Sequence, residues 1–231
     1  MSTVMRTGVN EPGGPPPGLR DFAEDWAGDQ ETFRHVHWGK AMMWIFLLSD
    51  TFIFSSFLVS YMTMRSSVTA PWPNADEVFA LTIAGRSIPL ILIAIMTFVL
   101  ISSSGTMAMA VNMGYRRNRR ATAALMFATA LLGATFVSMQ AFEWTKLIRE
   151  GVRPWTNPWG AEQFGASFFM ITGFHGLHVS VGVIMLLIVA SKVLRGHYDR
   201  GGDYSAVEIA GLYWHFVDLV WVFIFALFYL W

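Results

Sequence analysis

The sequence predicts an all-α membrane protein, a bundle of five transmembrane helices. Of its 231 residues, 54% are hydrophobic and only 14% are charged, a composition outside the usual range of soluble domains. Five apolar stretches are long enough, at about 1.5 Å per helical residue, to cross about 30 Å of hydrocarbon. None alternates like a membrane β-strand, so helices are expected. The predicted spans are about 41–64, 87–111, 121–142, 166–191 and 209–230.

The distribution of positive charge predicts the orientation. Counted on alternate sides of the five spans, 11 Lys and Arg residues fall on the side of the N-terminus and 5 on the opposite side. Cytoplasmic loops carry the excess of Lys and Arg, so we expect the N-terminus inside and the C-terminus outside. The formal net charge is zero, which gives no basic field and predicts no nucleic-acid partner.

The chain divides by composition into two parts. Residues 1–39 are rich in Pro and Gly and are expected to form a flexible cytoplasmic arm, whereas 40–231 form the membrane domain. The sequence has no cysteine, which excludes disulfides, thiolate metal sites and a thiol nucleophile.

Asp50, in the first span, is the first candidate for function. An ionisable side chain in hydrocarbon costs a few kcal/mol or more, and a short aspartate cannot reach the interface. The carboxyl group must therefore face another helix, a water pocket or a lipid head group. It has either a functional role or a purely structural one, as a hydrogen-bond acceptor that fixes packing.

The last two spans each carry a pair of polar residues at i, i+3, which places the pair on one helix face. The pairs are His175 with His178 and His215 with Asp218. These four groups could ligate a metal in a helical bundle. We favour the alternative, interhelical hydrogen bonding between closely packed helices, because axial rise places His215 nearer the inner side than His175.

Charged residues also mark the ends of two spans. Glu143 and Lys146 are predicted to form an exposed i, i+3 pair at the outer end of the third span. Lys192, Arg195 and His197 cluster at the inner end of the fourth, where cations suit the helix C-terminus and anionic lipid phosphates.

Two long motifs stand in the last two spans, TGFHGLHV at 172–179 and YWHFVDLVW at 213–221. They resemble the motifs of subunit III of haem-copper terminal oxidases. Ser49–Asp50 and the QAFE segment at 140–143 are similar to further parts of the family, and the resemblance covers about 40–231. It is closest to the shorter, five-helix bacterial form, a multi-pass protein of the bacterial inner membrane.

The resemblance implies a supporting function. Such subunits bind no haem or copper themselves. They pack on catalytic subunit I, in a complex with subunit II and an optional subunit IV. The haem and copper that carry out the reaction are bound by partner subunits. They hold phospholipid and help to sustain proton uptake. By position, Asp50 matches the family's buried carboxylate and Lys192, Arg195 and His197 match lipid head-group positions. Glu143 joins His175, His178, His215 and Asp218 in an expected interhelical polar network.

The leading interpretation is a non-catalytic subunit of a proton-pumping cytochrome c oxidase, with no active site in this chain. The motifs containing Phe174 and Tyr213 favour cytochrome c as donor, whereas Asp50, in place of glutamate, is more familiar in quinol oxidases. A quinol oxidase subunit or an accessory protein of nitric oxide reductase is the alternative. A stand-alone membrane di-metal enzyme is a remote one, and a transporter would need more charge within the spans.

Overall fold

The computed structural model describes residues 38–83, 86–88, 90–198 and 204–230. Five helices are long and apolar enough to cross a membrane, which confirms the all-α prediction. A one-turn helix and a hairpin of two three-residue strands lie between the first two long helices. The elements are α1 (Trp38–Ser67), α2 (Ala75–Val78), β1 (Leu81–Ile83), β2 (Arg86–Ile88), α3 (Ile91–Tyr115), α4 (Arg119–Arg149), α5 (Glu162–Leu194) and α6 (Ser205–Tyr229).

Two predictions concern features that the described residues do not show. The flexible arm at 1–39 falls, except for residues 38 and 39, outside the described residues. The orientation with the N-terminus inside also stays a prediction.

The predicted boundaries differ from the structure by up to seven residues, and two of the differences have an identifiable cause. The second span was expected to begin at residue 87, but α3 begins at Ile91 and Arg86–Ile88 form a strand. The sequence places Pro89 after Ile88, and a residue before proline is driven out of the helical region into extended backbone. Helix α4 continues past the predicted end at 142 to Arg149. The buried side chain of Leu147 still packs in this last part, so burial extends the helix beyond its apolar stretch.

The packing order of the long helices places α6 among three neighbours. Helix α3 packs on α4 and α6, α4 packs on α5, and α5 packs on α6, while α1 lies against α6 and α5. Helix α6 also has the largest buried share among the five candidate spans, at 44%. Its side chains therefore decide much of the contact geometry of the bundle.

Trp214 of α6 is one of the two tryptophans that are fully buried among the described residues, together with Trp221. It is 1% exposed, and its Nε1 donates a hydrogen bond of 2.9 Å to Ser103 Oγ of α3. The ring lies against two glycines, Gly133 of α4 and Gly182 of α5. A methyl group added at Gly182 would stand 3.0 Å from the indole, and one at Gly133 would collide with it and stand 2.9 Å from Val183. One indole thus joins four helices, because two of them carry no side chain where it lies.

Gly133→Ala should destabilise the isolated chain in detergent, because Trp214 and Val183 must both move to admit the methyl group. Overpacking of this kind costs about 1–3 kcal/mol. The measurement is the midpoint of thermal unfolding, followed by tryptophan fluorescence. Gly176→Ala is the matched control, because a Cβ at Gly176 meets nothing within 4 Å. Equal unfolding midpoints for the two variants would contradict the close contact between Trp214 and Gly133.

Candidate functional site

Ionisable and hydroxyl side chains gather near the midpoints of four long helices. We call this set the mid-helix polar layer; its members are Asp50, Ser103, Ser104, His175, His178, His215 and Asp218. The midpoints lie in the hydrocarbon region of any membrane these helices cross, so each polar group needs a partner from the protein. The layer divides into two clusters, one isolated ring and Ser103, which is bonded to Trp214.

The first cluster joins α1 to α5. Asp50 is 3% exposed, and its Oδ2 lies 3.4 Å from His178 Nε2, a salt-bridge distance whose orientation is not that of a hydrogen bond. His178 Nδ1 lies 2.8 Å from the carbonyl oxygen of Phe174. The hydroxyl of Tyr213, on α6, donates to the His178 carbonyl at 3.0 Å. Asp50 is therefore held against a histidine that two other groups position.

The hydrogen bonds of His178 determine where a proton must lie. A carbonyl oxygen only accepts, so Nδ1 carries a hydrogen and donates it to Phe174. In a neutral ring, Nε2 would then present a lone pair to the Asp50 carboxylate. Two acceptors cannot face each other in a buried site without cost, so the pair is expected to carry one further proton, on either side chain. The pair is either imidazolium with carboxylate or neutral imidazole with carboxylic acid.

The second cluster joins α3 to α6. Ser104 Oγ lies 2.6 Å from His215 Nδ1, and Asp218 lies three residues beyond His215 on the same helix. Asp218 Oδ1 is buried and has no partner among the described residues. His215 and Asp218 are both half-buried. The hydrogen bonding of this cluster therefore lacks a donor to Asp218 Oδ1 within the described residues.

His175 is the isolated ring. It is 1% exposed, and neither ring nitrogen has a hydrogen-bond partner within the part of the chain that the structure describes. The ring stacks on Trp221 with centroids 5.4 Å apart and meets Phe136 edge-on at 5.8 Å. A neutral imidazole in an aromatic box is therefore what the geometry presents.

The four candidate metal ligands are not brought together. His178 contacts α1, and His215 contacts α3, whereas His175 stacks on Trp221, six residues beyond His215 along α6. Among residues 38–83, 86–88, 90–198 and 204–230, no group of three or more His, Cys, Asp or Glu side chains could hold a metal ion. The geometry gives the di-metal interpretation no support.

The expectation of an exposed Glu143–Lys146 pair was wrong. Glu143 is 3% exposed, and its Oε2 accepts hydrogen bonds from Tyr229 at 3.2 Å and Gln140 at 3.1 Å. Lys146 instead contacts the Ala80 carbonyl and lies 3.7 Å from Glu150. The helical spacing of Glu143 and Lys146 was correct, but the end of α6 and residue 80 lie over this part of α4 and take both side chains. Glu143 thus links α4 to the last turn of α6.

Sequence reasoning missed Tyr229, Ser103, Ser104 and Trp214. A signal for three of them is present in the sequence. The run Ser102–Ser104 stands in the middle of an apolar span, where hydroxyl groups serve partners on other helices, and a buried indole needs an acceptor for its N–H. No local pattern marks Tyr229, because its partner is 86 residues away.

The three basic candidates project from the C-terminal end of α5. Lys192, Arg195 and His197 are all exposed. Gly196, with φ of 72°, follows the helix end, and the His197 amide returns to the Lys192 carbonyl at 3.1 Å. This is the left-handed glycine termination common at helix ends. It holds the three cations at one edge of the bundle.

Comparison with known families decides what this bundle is. A sequence model described as "Cytochrome c oxidase subunit III" matches residues 21–231, nearly the whole chain.

The chain belongs to the cytochrome c oxidase subunit III family.

Two curated relatives show the similarity at full length. A protein named probable quinol oxidase subunit 3 of Staphylococcus aureus is 32% identical over 193 residues, which cover 83% of this chain and 88% of the relative. Cytochrome bo(3) ubiquinol oxidase subunit 3 of Pseudomonas aeruginosa is 30% identical over 190 residues, covering 81% and 82%. Together with the five apolar helices, this membership makes the chain a multi-pass protein of the bacterial inner membrane and a subunit of a haem-copper oxidase complex.

Removal of the Tyr229 hydroxyl by Tyr229→Phe should lower the free energy of unfolding by about 1–3 kcal/mol, because it takes a hydrogen-bond donor from the buried Glu143 carboxyl group. The measurement is chemical unfolding of the chain in mixed micelles. A double-mutant cycle with Glu143→Gln should give a non-zero coupling energy. Glu150→Gln, an exposed position on the same helix end, should change stability by less than about 0.5 kcal/mol. Additive effects at 143 and 229 would contradict the link.

Proposed function

We propose that this chain is the non-catalytic subunit III of a proton-pumping haem-copper oxidase that reduces oxygen to water. In this proposal it binds catalytic subunit I, alongside subunit II and an optional subunit IV. Haem and copper are bound by those partners and none by this chain. The proposed work of the chain is to stabilise the catalytic subunit and to sustain proton uptake during proton translocation.

The observation that carries the proposal is the Asp50–His178 pair. His178 Nε2 and Asp50 Oδ2 lie 3.4 Å apart at mid-depth, and the backbone carbonyl of Phe174 fixes the ring; in this proposal the two side chains hold one proton. Such intramembrane pairs are typical of sites that hold or pass protons. Pairing also removes much of the cost of burying either charge, so the pair suits a supporting subunit that must keep its fold while the complex turns over.

Bound phospholipid is the second part of the proposal. Lys192, Arg195 and His197 present three cationic or protonatable groups at the end of α5, exposed and adjacent. Basic side chains at the cytoplasmic edge of a bundle attract anionic lipid head groups by about 1 kcal/mol each. We therefore assign a phospholipid head group to this edge.

The electron donor has two candidates, each with its own support. The motifs that contain Phe174 and Tyr213 favour cytochrome c. The names of the two relatives, both quinol oxidase subunits, and the aspartate at position 50 favour quinol. Oxygen uptake by the purified complex with either reduced cytochrome c or a quinol as sole donor separates the two.

Asp50→Ala should leave the complex assembled but shorten its working life, because His178 loses the group that shares its proton. If the lost contact is worth about 1–3 kcal/mol, inactivation during turnover should be at least about fivefold faster. The measurement is the number of turnovers before oxygen uptake ceases. Ser49→Ala is the control, since the Ser49 hydroxyl bonds only the Phe46 carbonyl of its own helix. An unchanged lifetime in Asp50→Ala would reduce Asp50 to a packing residue.

The double variant Lys192→Ala with Arg195→Ala should reduce the phospholipid that remains with the complex after delipidating washes, because two of the three cations at this edge are gone. Retained lipid is counted by mass spectrometry of an extract. Arg116→Ala with Arg120→Ala removes two exposed charges elsewhere in the chain and should retain lipid as the unaltered protein does. Equal losses of phospholipid in both double variants would show that overall positive charge retains the lipid and that there is no specific lipid site at this edge.

A further inference from the structure

Tyr213 of α6 contacts both of the helices whose side chains form the Asp50–His178 pair. Its hydroxyl donates a hydrogen bond of 3.0 Å to the His178 carbonyl oxygen on α5. Its ring stacks on Phe46 of α1, with the ring centroids 6.2 Å apart and an angle of 26° between the planes. Phe46 stands four residues before Asp50, on the same face of α1. One buried side chain therefore spans the gap across which the pair forms.

Gly182 allows Tyr213 to approach α5 this closely, because a Cβ at Gly182 would stand 3.0 Å from the Tyr213 ring. In a regular helix the His178 carbonyl already accepts a hydrogen bond from the amide of residue 182. The phenol is a second donor to the same oxygen, which has two lone pairs. Since the carbonyl stays bonded without the phenol, the effect of the phenol is to place this turn of α5 relative to α6.

Helix α1 has few contacts that could position it instead. Its buried share is 17%, the smallest among the five candidate spans. Around the pair its contacts recur every four residues: Phe46 on Tyr213, Asp50 on His178, and Phe54 edge-on to the His178 ring. Residues four apart on a helix lie one above the other, so a shift at Phe46 also moves Asp50.

We propose that Tyr213 is a positioning residue: by bonding α5 at His178 and stacking on α1 one turn before Asp50, it sets the separation of the pair and thereby how tightly the pair holds its proton. The inference rests on the proposed function, which assigns that proton to Asp50 and His178. It goes further by naming the residue of a third helix on which the affinity for the proton depends. The titratable groups beside the pair in the described part of the chain are Tyr213 itself and His175, three residues before His178 on α5.

The pH dependence of the working life of the purified complex tests this role. Tyr213→Phe keeps the ring on Phe46 but removes the hydroxyl, so the pair should loosen and lose its proton at lower pH. Without that proton two acceptors face each other, and the number of turnovers should fall. We expect the pH at which the number of turnovers is halved to decrease by about half a unit, which corresponds to about threefold weaker binding of the proton.

Tyr61→Phe is the matched control, because the Tyr61 hydroxyl also donates to a backbone carbonyl of α6, that of Leu227, at 3.2 Å. Tyr61 lies on α1 about 16 Å beyond Asp50 along the helix axis. This variant should leave the midpoint of the pH profile where it is in the unaltered complex. An unshifted midpoint in Tyr213→Phe, or equal shifts in the two variants, would overturn the inference.

A double-mutant cycle tests the positioning without turnover. The losses in thermal unfolding midpoint of the full chain caused by Tyr213→Phe and Asp50→Ala should not add, because both act on the same pair, whereas those of Tyr61→Phe and Asp50→Ala should add. Additive losses for Tyr213→Phe would overturn the inference. A flat pH profile in Asp50→Ala together with an unshifted one in Tyr213→Phe would overturn the inference alone. If Asp50→Ala kept the pH profile of the unaltered complex, the proposed role of the pair would be wrong as well.

Discussion

The indole of Trp214 sets the distances on which the rest of the bundle depends. It occupies the space that Gly133 and Gly182 leave open and reaches Ser103, so four helices meet around one side chain. In a membrane the helices gain little from excluding water, and close van der Waals contact with interhelical hydrogen bonds must hold them together. The indole of Trp214 provides both the van der Waals contact and, through its N–H group, an interhelical hydrogen bond. Its depth also fixes the level at which neighbouring residues of α6 meet their partners.

The polar layer follows from that level. Neighbouring residues of α6 contact different helices: Tyr213 donates to the His178 carbonyl of α5, and His215 contacts Ser104 of α3. Asp50 and His178 lie 3.4 Å apart inside the bundle, whereas Asp218 Oδ1 has no partner among the described residues.

Much of this architecture was predictable because the membrane limits the choices. Five apolar stretches had to be helices, and Pro89 explains why α3 begins later than hydropathy suggests. The i, i+3 spacing showed which polar residues share a face. It could not show what each face meets, so the partnership of Glu143 with Tyr229, 86 residues away, was missed. Gly133 was missed as well, since its close approach to Trp214 is a contact between helices that no local pattern encodes.

We infer that this chain supports a haem-copper centre that lies in another subunit. The most direct measurement is the haem and copper content of the complex purified through a tag on this chain, and of the chain itself after the subunits are dissociated. We expect the complex to show haem absorption bands and to contain copper, both bound by a large polytopic partner. We expect the separated chain to contain neither haem nor copper. A lone chain that carries one or two metal ions per polypeptide would contradict it.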